Sequence, residues 1–274
     1  MMNFSVEPVL AFLGSPRKDP SPDYLDELVA AYVRRVPWET ASRIAKRAQT
    51  AATEQCPRWP EEFWRDVLER GGGGTCYESN YAFFALLRGL GFEGYLTIND
   101  MGALCGCHAA IVVQMERTRW LVDVGYPLYL PVALRRDAAC YRSTPFHTYT
   151  VTPAGAARYE VTRDRHPKPY VFTLNDRPVA DSLYRQITTQ DYGPAGQFLD
   201  ELIVHKVIGD RIWRFNGRAR PPLLESFPAS TQAAPTSTVV AEDSTVQVVS
   251  ERFRLDEGIV ASAMRALQKG VMGS

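Results

Sequence analysis

The sequence predicts an α+β protein in three successive segments. Apolar residues recur at helical spacing through about the first ninety residues, and the pattern changes to strand-like alternation from about Tyr95. A third unit is expected at the end of the chain, where a short strand precedes a final helix. The chain has 274 residues, of which 45% are hydrophobic, so it can bury a sizeable core.

Three helices are predicted in the first segment. The first begins at Pro22 and stops before Pro37, and the second begins at Pro60 and ends at a run of four glycines. The third begins at or near Cys76, and Gly89 supplies its stop. Leucine and aromatic residues form the apolar stripes of these helices, and we expect those stripes to be core rather than a cofactor site.

A β-hairpin is predicted where the alternation begins, from runs at 108–115 and 120–126. If a two-residue turn sits at Glu116-Arg117, residue 115 pairs with 118, and His108 and Asp123 share a face as diagonal neighbours. A three-residue loop would place them on opposite faces. Further strands are expected at 149–152, 159–162 and 170–173.

The last third of the chain is expected to be mixed. We interpret residues 181–191 as irregular, 198–208 and 211–215 as a strand pair or a short helix and strand, 218–238 as a long loop or linker, 245–249 as a strand, and 256–268 as a helix.

Charge and composition exclude several classes of function. The chain has 31 basic and 31 acidic residues, with no long basic run, so it lacks the electrostatic character of a nucleic-acid binder. No apolar run reaches membrane-spanning length, and residues 1–14 lack the basic lead of a signal peptide. Five cysteines, an odd number, favour free thiols in a reducing compartment. A cytoplasmic protein is therefore expected.

Cys76 is the candidate nucleophile. It follows four glycines, which carry no side chains that would shield the sulfur, and it opens an amphipathic helix. The partial positive charge at a helix N-terminus favours thiolate over thiol. The alternative is a glycine-rich surface loop followed by a core cysteine, so Cys76 needs partners before a role can be assigned.

His108 and Asp123 are the candidate partners. In a cysteine-dependent site His108 would hold the proton of the thiol, and Asp123 would orient the imidazole and stabilise its charged form. Each has a structural alternative, since His108 can be a satisfied strand histidine and Asp123 can hydrogen-bond a turn. A soft-metal site at 105–108 is also conceivable, but structural zinc usually needs a second ligand pair, so no metal is predicted.

These residues resemble the arylamine N-acetyltransferase family. The matching segments are GGTCYESN at 73–80, LLRGLGF at 86–92, the His108 strand, VDVGY at 122–126 and VPWE at 36–39. In that family the cysteine, histidine and aspartate form the catalytic triad, which implies Cys76, His108 and Asp123 here. The resemblance also implies that Gly125 and Tyr126 bind the donor.

The resemblance implies a three-part fold with a papain- or transglutaminase-like catalytic core. Residues 1–92 would form a helical bundle bearing the nucleophile, and 93–200 a β-barrel bearing the histidine and aspartate. Residues 201–274 would form a C-terminal α/β lid with a Pro/Ser/Thr-rich loop.

The implied activity is acyl transfer from a thioester to an amine through a cysteine acyl-enzyme, with ping-pong kinetics. Acetyl-CoA would be a co-substrate, with no tightly bound cofactor, and a small arylamine the acceptor. Alternatives are a biosynthetic amide synthase or cyclase that uses a carrier-bound or long-chain thioester, a cysteine hydrolase, and a non-catalytic binding module. Partners would be these small molecules or an acyl carrier, not nucleic acid or a membrane.

The chain departs from the family pattern at three residues and in the segment between Cys76 and His108, which is shorter than the family norm and should alter the acceptor pocket. Gly72 stands where the family has arginine, and Arg70 lies two places earlier, so we expect Arg70 to reach Glu39 instead or the loop to be looser. Thr75 replaces an aromatic residue beside the nucleophile. Pro127 replaces a glycine near the donor, which bears on how coenzyme A is held.

Overall fold

The computed structural model describes residues 5–230 and 232–270. The chain forms two compact units: the first comprises Met1–Val33 and Ser79–Tyr184, and the second Arg34–Glu78 and Arg185–Ser274. The predicted first segment starts with residues 1–4, and the predicted last segment ends with residues 271–274. Both stretches lie outside the described residues. The predicted three-part division, with boundaries near 92 and 200, stays a prediction.

The described residues contain helices α1 (Val6–Leu13), α2 (Pro22–Arg35), α3 (Ala41–Gln49), α4 (Pro60–Arg70), α5 (Cys76–Gly89), α6 (Asp181–Gln190), α7 (Thr245–Phe253) and α8 (Glu257–Gln268). The strands are β1 (Trp38–Glu39), β2 (Glu93–Met101), β3 (Leu104–Met115), β4 (Thr118–Val122), β5 (Val132–Leu134), β6 (Cys140–Ser143), β7 (Thr148–Pro153), β8 (Arg158–Arg163), β9 (Tyr170–Asn175), β10 (Ile203–Ile208), β11 (Arg211–Asn216), β12 (Leu223–Pro228) and β13 (Thr236–Val239).

An eight-stranded antiparallel sheet dominates the first unit. Its strand order is β5-β4-β3-β2-β9-β8-β7-β6, and the terminal strands β5 and β6 approach each other, so the sheet is almost closed like a barrel. Strand β3 is central, and its residues 108–113 are all buried because both faces are covered. The structure thus confirms the predicted α+β class with a barrel-like sheet.

A five-stranded sheet and two terminal helices characterise the second unit. The strand order is β1-β10-β11-β12-β13, with antiparallel pairing throughout. Helices α3, α7 and α8 contribute Ile44, Val249, Phe253 and Val260 to one buried apolar cluster, together with Phe215 from β11. Burial of this apolar surface is the main contribution to the stability of these helices and strands.

The predicted hairpin register is confirmed. Met115 pairs with Thr118 and Ile111 with Val122, so a two-residue turn connects β3 and β4. Glu116 in this turn has a φ of 52°, in the left-handed region. The turn therefore directs His108 and Asp123 to the same side, although its sequence is not the Asn-Gly or Asp-Gly that such turns favour.

Several expectations about secondary structure are confirmed, namely the helices α2, α4, α5 and α8, the strands β7, β8 and β9, and the strand pair β10–β11. Three are wrong. Residues 181–191 contain helix α6, residues 245–249 begin helix α7, and the expected linker at 218–238 contains strands β12 and β13. Helices α1 and α3 were not predicted.

Two of the wrong assignments, at 181–191 and 245–249, share a physical cause. Val249 and Phe253 lie four residues apart, so in a helix they face the same side, and both are buried. Tyr184 and Thr188 have the same spacing in α6 and are also buried. Tertiary packing therefore overrides the local preference of β-branched and polar residues.

Candidate active site

Cys76 is the first residue of helix α5 in the second unit, and its side chain is buried with 8% exposure. The loop before it makes backbone contacts with strand β1, because Glu39 N donates to Gly74 O at 3.4 Å. A Cβ atom on Gly73 would lie 1.8 Å from the Pro37 carbonyl oxygen. Glycine at this position therefore allows a close backbone approach that no other residue permits.

Glu39 and Arg58 hold Gly73 from opposite sides. Gly73 N donates to Glu39 Oε1 at 3.0 Å, and Arg58 Nη2 donates to Gly73 O at 2.7 Å. Glu39 also caps the next helix by accepting from Ser42 N at 2.8 Å. Both polar groups of the Gly73 backbone are thus satisfied by buried charged side chains.

Arg58 and Glu78 form a buried ion pair beneath the first turn of α5. Arg58 Nη2 lies 2.6 Å from Glu78 Oε2, and Arg58 N donates to Glu78 Oε1 at 2.8 Å. The Tyr192 hydroxyl donates to Glu78 Oε1 at 2.5 Å, and Arg58 also contacts Asp66 at 3.2 Å. Charge-assisted hydrogen bonds of this kind are the strong ones in proteins.

The ion pair sets the ionisation of Glu78. Burial alone would raise the pKa of this carboxyl, but the adjacent Arg58 charge and its hydrogen bonds hold the pKa below the ordinary value of 4.5. In the same way, burial would lower the pKa of Arg58, but Glu78 raises it well above its usual value. Both groups therefore stay charged inside the protein.

Of the two alternatives for Arg70, a contact with Glu39 is wrong. Arg70 Nη2 donates to Asp256 Oδ1 at 2.9 Å, and Asp256 N donates to Arg70 O, so this residue ties α4 to the start of α8. Glu39 instead contacts the loop backbone, and Arg58 provides the buried guanidinium behind it. The loop before Cys76 is thus held by Arg58 and Glu39.

His108 and Asp123 form the second part of the candidate site, within the first unit. His108 Nε2 lies 2.7 Å from Asp123 Oδ2, and the side chains are 2% and 0% exposed. The ring also packs against Phe172, with centroids 4.5 Å apart, and meets Tyr126 edge-on at 6.3 Å. If Nε2 carries the proton donated to Asp123, Nδ1 is the nitrogen that can accept another proton.

Asp123 is held by three further donors. Its Oδ1 accepts from Asn80 Nδ2, Gly125 N and Tyr126 N, each at 2.9 Å. Asn80 also donates to Ala109 O at 2.7 Å, and its Oδ1 accepts from Val124 N at 3.0 Å. The amide thus joins helix α5 to strand β3 and to the turn after Asp123, and it fixes the carboxylate facing His108.

The structure brings four predicted residues together in the first unit: His108, Asp123, Gly125 and Tyr126. Gly125 and Tyr126 orient Asp123 through their backbone N–H groups, while a role in donor binding stays a prediction. Cys76 belongs to the second unit, on the helix that also carries Asn80, so its action with His108 is a prediction as well.

Sequence reasoning missed the residues that support the site. Asn80 could have been found, since it lies one helical turn after Cys76 in the quoted motif and faces the same side. Arg58 and Tyr192 carry no local signal, because they reach Glu78 only through the fold.

The remaining sequence expectations concern metals, thiols and membranes. Within residues 5–230 and 232–270, no group of three or more His, Cys, Asp or Glu side chains is arranged to hold a metal ion. All five cysteines lie in these ranges and are free thiols. Among the described helices, none is both long and apolar enough to cross a membrane.

The buried ion pair gives a stability prediction. We expect Arg58→Met to lower the free energy of unfolding by about 3–5 kcal/mol, because it leaves Glu78 charged and unpaired in the interior. Chemical denaturation measures the change. Arg70→Met removes an exposed arginine nearby and should cost about 1 kcal/mol or less. A similar loss of unfolding free energy in both variants would contradict the assignment of Arg58 and Glu78 as a stabilising buried pair.

The depressed pKa of Glu78 gives a pH prediction. A carboxyl whose folded pKa is lowered stabilises the fold above its unfolded pKa, and this contribution is lost as the pH falls through the folded pKa. The melting temperature of the wild type should therefore fall more steeply below pH 4.5 than that of Glu78→Gln. Thermal denaturation between about pH 6 and about pH 3 compares them, and parallel curves would refute the prediction.

Comparison with known proteins identifies relatives of the chain. A family model described as N-acetyltransferase matches residues 22–259. The chain is 33% identical over 107 residues to the uncharacterized acetyltransferase YvcN of Bacillus subtilis, covering 36% of this chain and 39% of the relative. It is 32% identical over 105 residues to the arylamine N-acetyltransferase of Escherichia coli, covering 35% and 36%. The chain thus aligns with under two fifths of the length of these curated relatives.

A structural comparison supports the fold. The arylamine N-acetyltransferase of Mycobacterium marinum in complex with CoA has a TM-score of 0.80 and 17% identity, covering 97% of this chain and 99% of that chain. At this identity the likeness concerns the fold. Because the family model spans most of the sequence, the chain belongs to the arylamine N-acetyltransferase family.

Proposed function

We propose that the protein transfers an acyl group from a thioester, acetyl-CoA in the first instance, to an arylamine through an acyl-enzyme on Cys76. The observation that carries the proposal is the buried His108–Asp123 pair at 2.7 Å, which matches the need of a thiol for an oriented base. Family membership and the position of Cys76 at the start of α5 support it.

The first half-reaction forms the acyl-enzyme. The Cys76 thiolate attacks the thioester carbonyl carbon, and its proton is held on His108 as an imidazolium. When the tetrahedral intermediate collapses, the bond between the carbonyl carbon and the carrier sulfur breaks, and His108 gives its proton to the departing carrier thiolate, which leaves as a thiol. Backbone N–H groups in the first turn of α5 would stabilise the oxyanion.

The second half-reaction delivers the acyl group to the amine. The amine nitrogen attacks the Cys76 thioester, His108 takes the proton that the nitrogen loses, and the bond from carbon to Cys76 sulfur breaks. The amide leaves, and the thiolate–imidazolium pair is restored. Because the carrier departs before the amine reacts, the kinetics should be ping-pong.

Asp123 fixes the direction of these proton transfers. Its contact with Nε2 favours the tautomer in which Nδ1 is the basic nitrogen, and the carboxylate stabilises the imidazolium. The donors Asn80, Gly125 and Tyr126 prevent Asp123 from turning away. We propose that Gly125 and Tyr126 also contact the donor, next to His108.

The proposal includes the donor, the acceptor and the location of the protein. The relative from Mycobacterium marinum is described in complex with CoA, which supports a CoA thioester as the co-substrate here. The acceptor would be a small amine, and the free thiols support a cytoplasmic location. No contact among the described residues favours the amide synthase alternative.

Acyl-enzyme formation tests the nucleophile. Intact-protein mass spectrometry after brief exposure to acetyl-CoA should detect one added acetyl group on the wild type, which disappears when an arylamine is supplied. Cys76→Ala should gain no acetyl group, whereas Cys105→Ala, which removes an exposed thiol, should behave like the wild type. If Cys76→Ala gained an acetyl group, or the wild type gained none, the proposal that acetyl-CoA acylates Cys76 would be contradicted.

Replacement of the aspartate tests the base. Asp123→Asn should lower kcat on the order of 10²–10⁴-fold, because the amide can donate to Nε2 and so favour the tautomer with a protonated Nδ1. Steady-state kinetics measure the change, and a melting curve checks that the variant is folded. Asp137→Asn changes an exposed aspartate and should leave kcat unaltered. An unchanged rate in Asp123→Asn would exclude His108 and Asp123 as the catalytic pair.

A further inference from the structure

Arg163 contacts Tyr126, the aromatic residue beside His108. Arg163 lies at the end of β8, with its guanidinium carbon 5.2 Å from the centre of the Tyr126 ring. Its Nη2 atom donates to the Tyr126 hydroxyl at 2.9 Å and lies 3.1 Å from the His166 ring. The guanidinium is thus fixed in one orientation against the face of Tyr126.

The charge of Arg163 is not neutralised by a carboxylate. Among residues 5–230 and 232–270, Arg163 forms no ion pair with an aspartate or glutamate, and its buried Nε has no hydrogen-bond partner. The adjacent Asp164 is engaged elsewhere, since it accepts from Thr148 N and contacts Arg165. A partly buried cation without a counterion favours an anion in its neighbourhood.

A second arginine follows Arg163 in the chain. Arg165 is two residues away, and its guanidinium donates to the backbone oxygens of Pro145 and Thr144. Burial lowers the pKa of His147 to about 4, against a hydrogen bond to the Asp164 backbone that raises it, and the charges of Arg163 and Arg165 contribute to the lowering. The Arg163 charge thus lies at the hydroxyl of Tyr126, whereas the Asp123 carboxylate lies at its backbone N–H.

Tyr126 connects this charge to the reacting centre. One edge of its ring meets His108 at 6.3 Å between centroids, and its face is covered by Arg163. Its backbone N–H also holds Asp123. A substrate that reacts at His108 and extends along Tyr126 to its hydroxyl would approach the guanidinium of Arg163.

We propose that Arg163 binds an anionic group, a carboxylate or a phosphate, of the substrate that reacts at His108. The inference rests on the proposed function and specifies the substrate class of that site. The planar guanidinium suits either anion, because it can donate two parallel hydrogen bonds. The anion can belong to an aromatic acceptor, such as an aminobenzoate, or to the phosphate-bearing carrier of the donor.

Acceptors of similar shape but different charge test whether the acceptor carries the anion. We would compare 3- and 4-aminobenzoate with 3- and 4-aminobenzamide, which differ in charge but hardly in shape. The wild type should prefer the carboxylates in kcat/KM, and Arg163→Gln should lose about 10- to 100-fold on the carboxylates alone. Arg163→Lys keeps the charge without the planar fork and should restore part of the preference.

The acyl-enzyme half-reaction tests whether the donor carries the anion. The rate of Cys76 acetylation is measured with acetyl-CoA and with S-acetylpantetheine, which carries no phosphate. If the donor supplies the anion, Arg163→Gln should slow acetylation by acetyl-CoA by a similar factor and leave S-acetylpantetheine unaffected. Either charge-selective loss supports the proposal and identifies the source.

The controls separate this proposal from the general function. Arg165→Gln removes an equal charge nearby and should change neither selectivity. Turnover of the aminobenzamides by Arg163→Gln demonstrates that the acyltransferase reaction is intact. Equal losses with charged and neutral substrates would mean that Arg163 only positions Tyr126, and unchanged ratios would mean that it binds no anion; either result overturns the proposal.

Discussion

The buried ion pair between Arg58 and Glu78 is the interaction on which the candidate site depends. It neutralises two charges whose isolated burial would be very costly, and it places a hydrogen-bond donor against the loop that precedes Cys76. Glu78 also lies in the first turn of α5, where a negative charge is favoured. One pair thus fixes both the loop and the start of the helix that carries the candidate nucleophile.

Much of the fold could be predicted because its signals are local. Pro22 and Pro60 mark helix starts, and the β3–β4 register follows from a two-residue turn and alternating residues. Helix α7 could not be predicted in this way. Its valines favour a strand locally, and only the cluster with α8 and β10 makes the helix the better solution.

The candidate site likewise contains residues that the local sequence predicts and residues that it does not. Cys76, His108 and Asp123 could be selected because each lies in a recognisable local context, and the hairpin register predicts that the last two share a face. The contribution of Arg58 could not be read from its neighbours, since its partners come from positions 66, 73 and 78. The expected contact of Arg70 with Glu39 is wrong for the same reason, because proximity to the glycines in sequence is a poor guide to contact.

The glycine run before Cys76 has a consequence for the entropy of the chain. In sequence, four consecutive glycines look like a flexible hinge. In the structure, a Cβ on Gly71 would lie 2.0 Å from Arg254 O and one on Gly73 1.8 Å from Pro37 O, so these positions are pinned by backbone contacts. Since glycine is the most mobile residue in the unfolded chain, ordering this loop carries an unusually large entropic cost. The run therefore gives the folded protein close packing, and its flexibility belongs to the unfolded state.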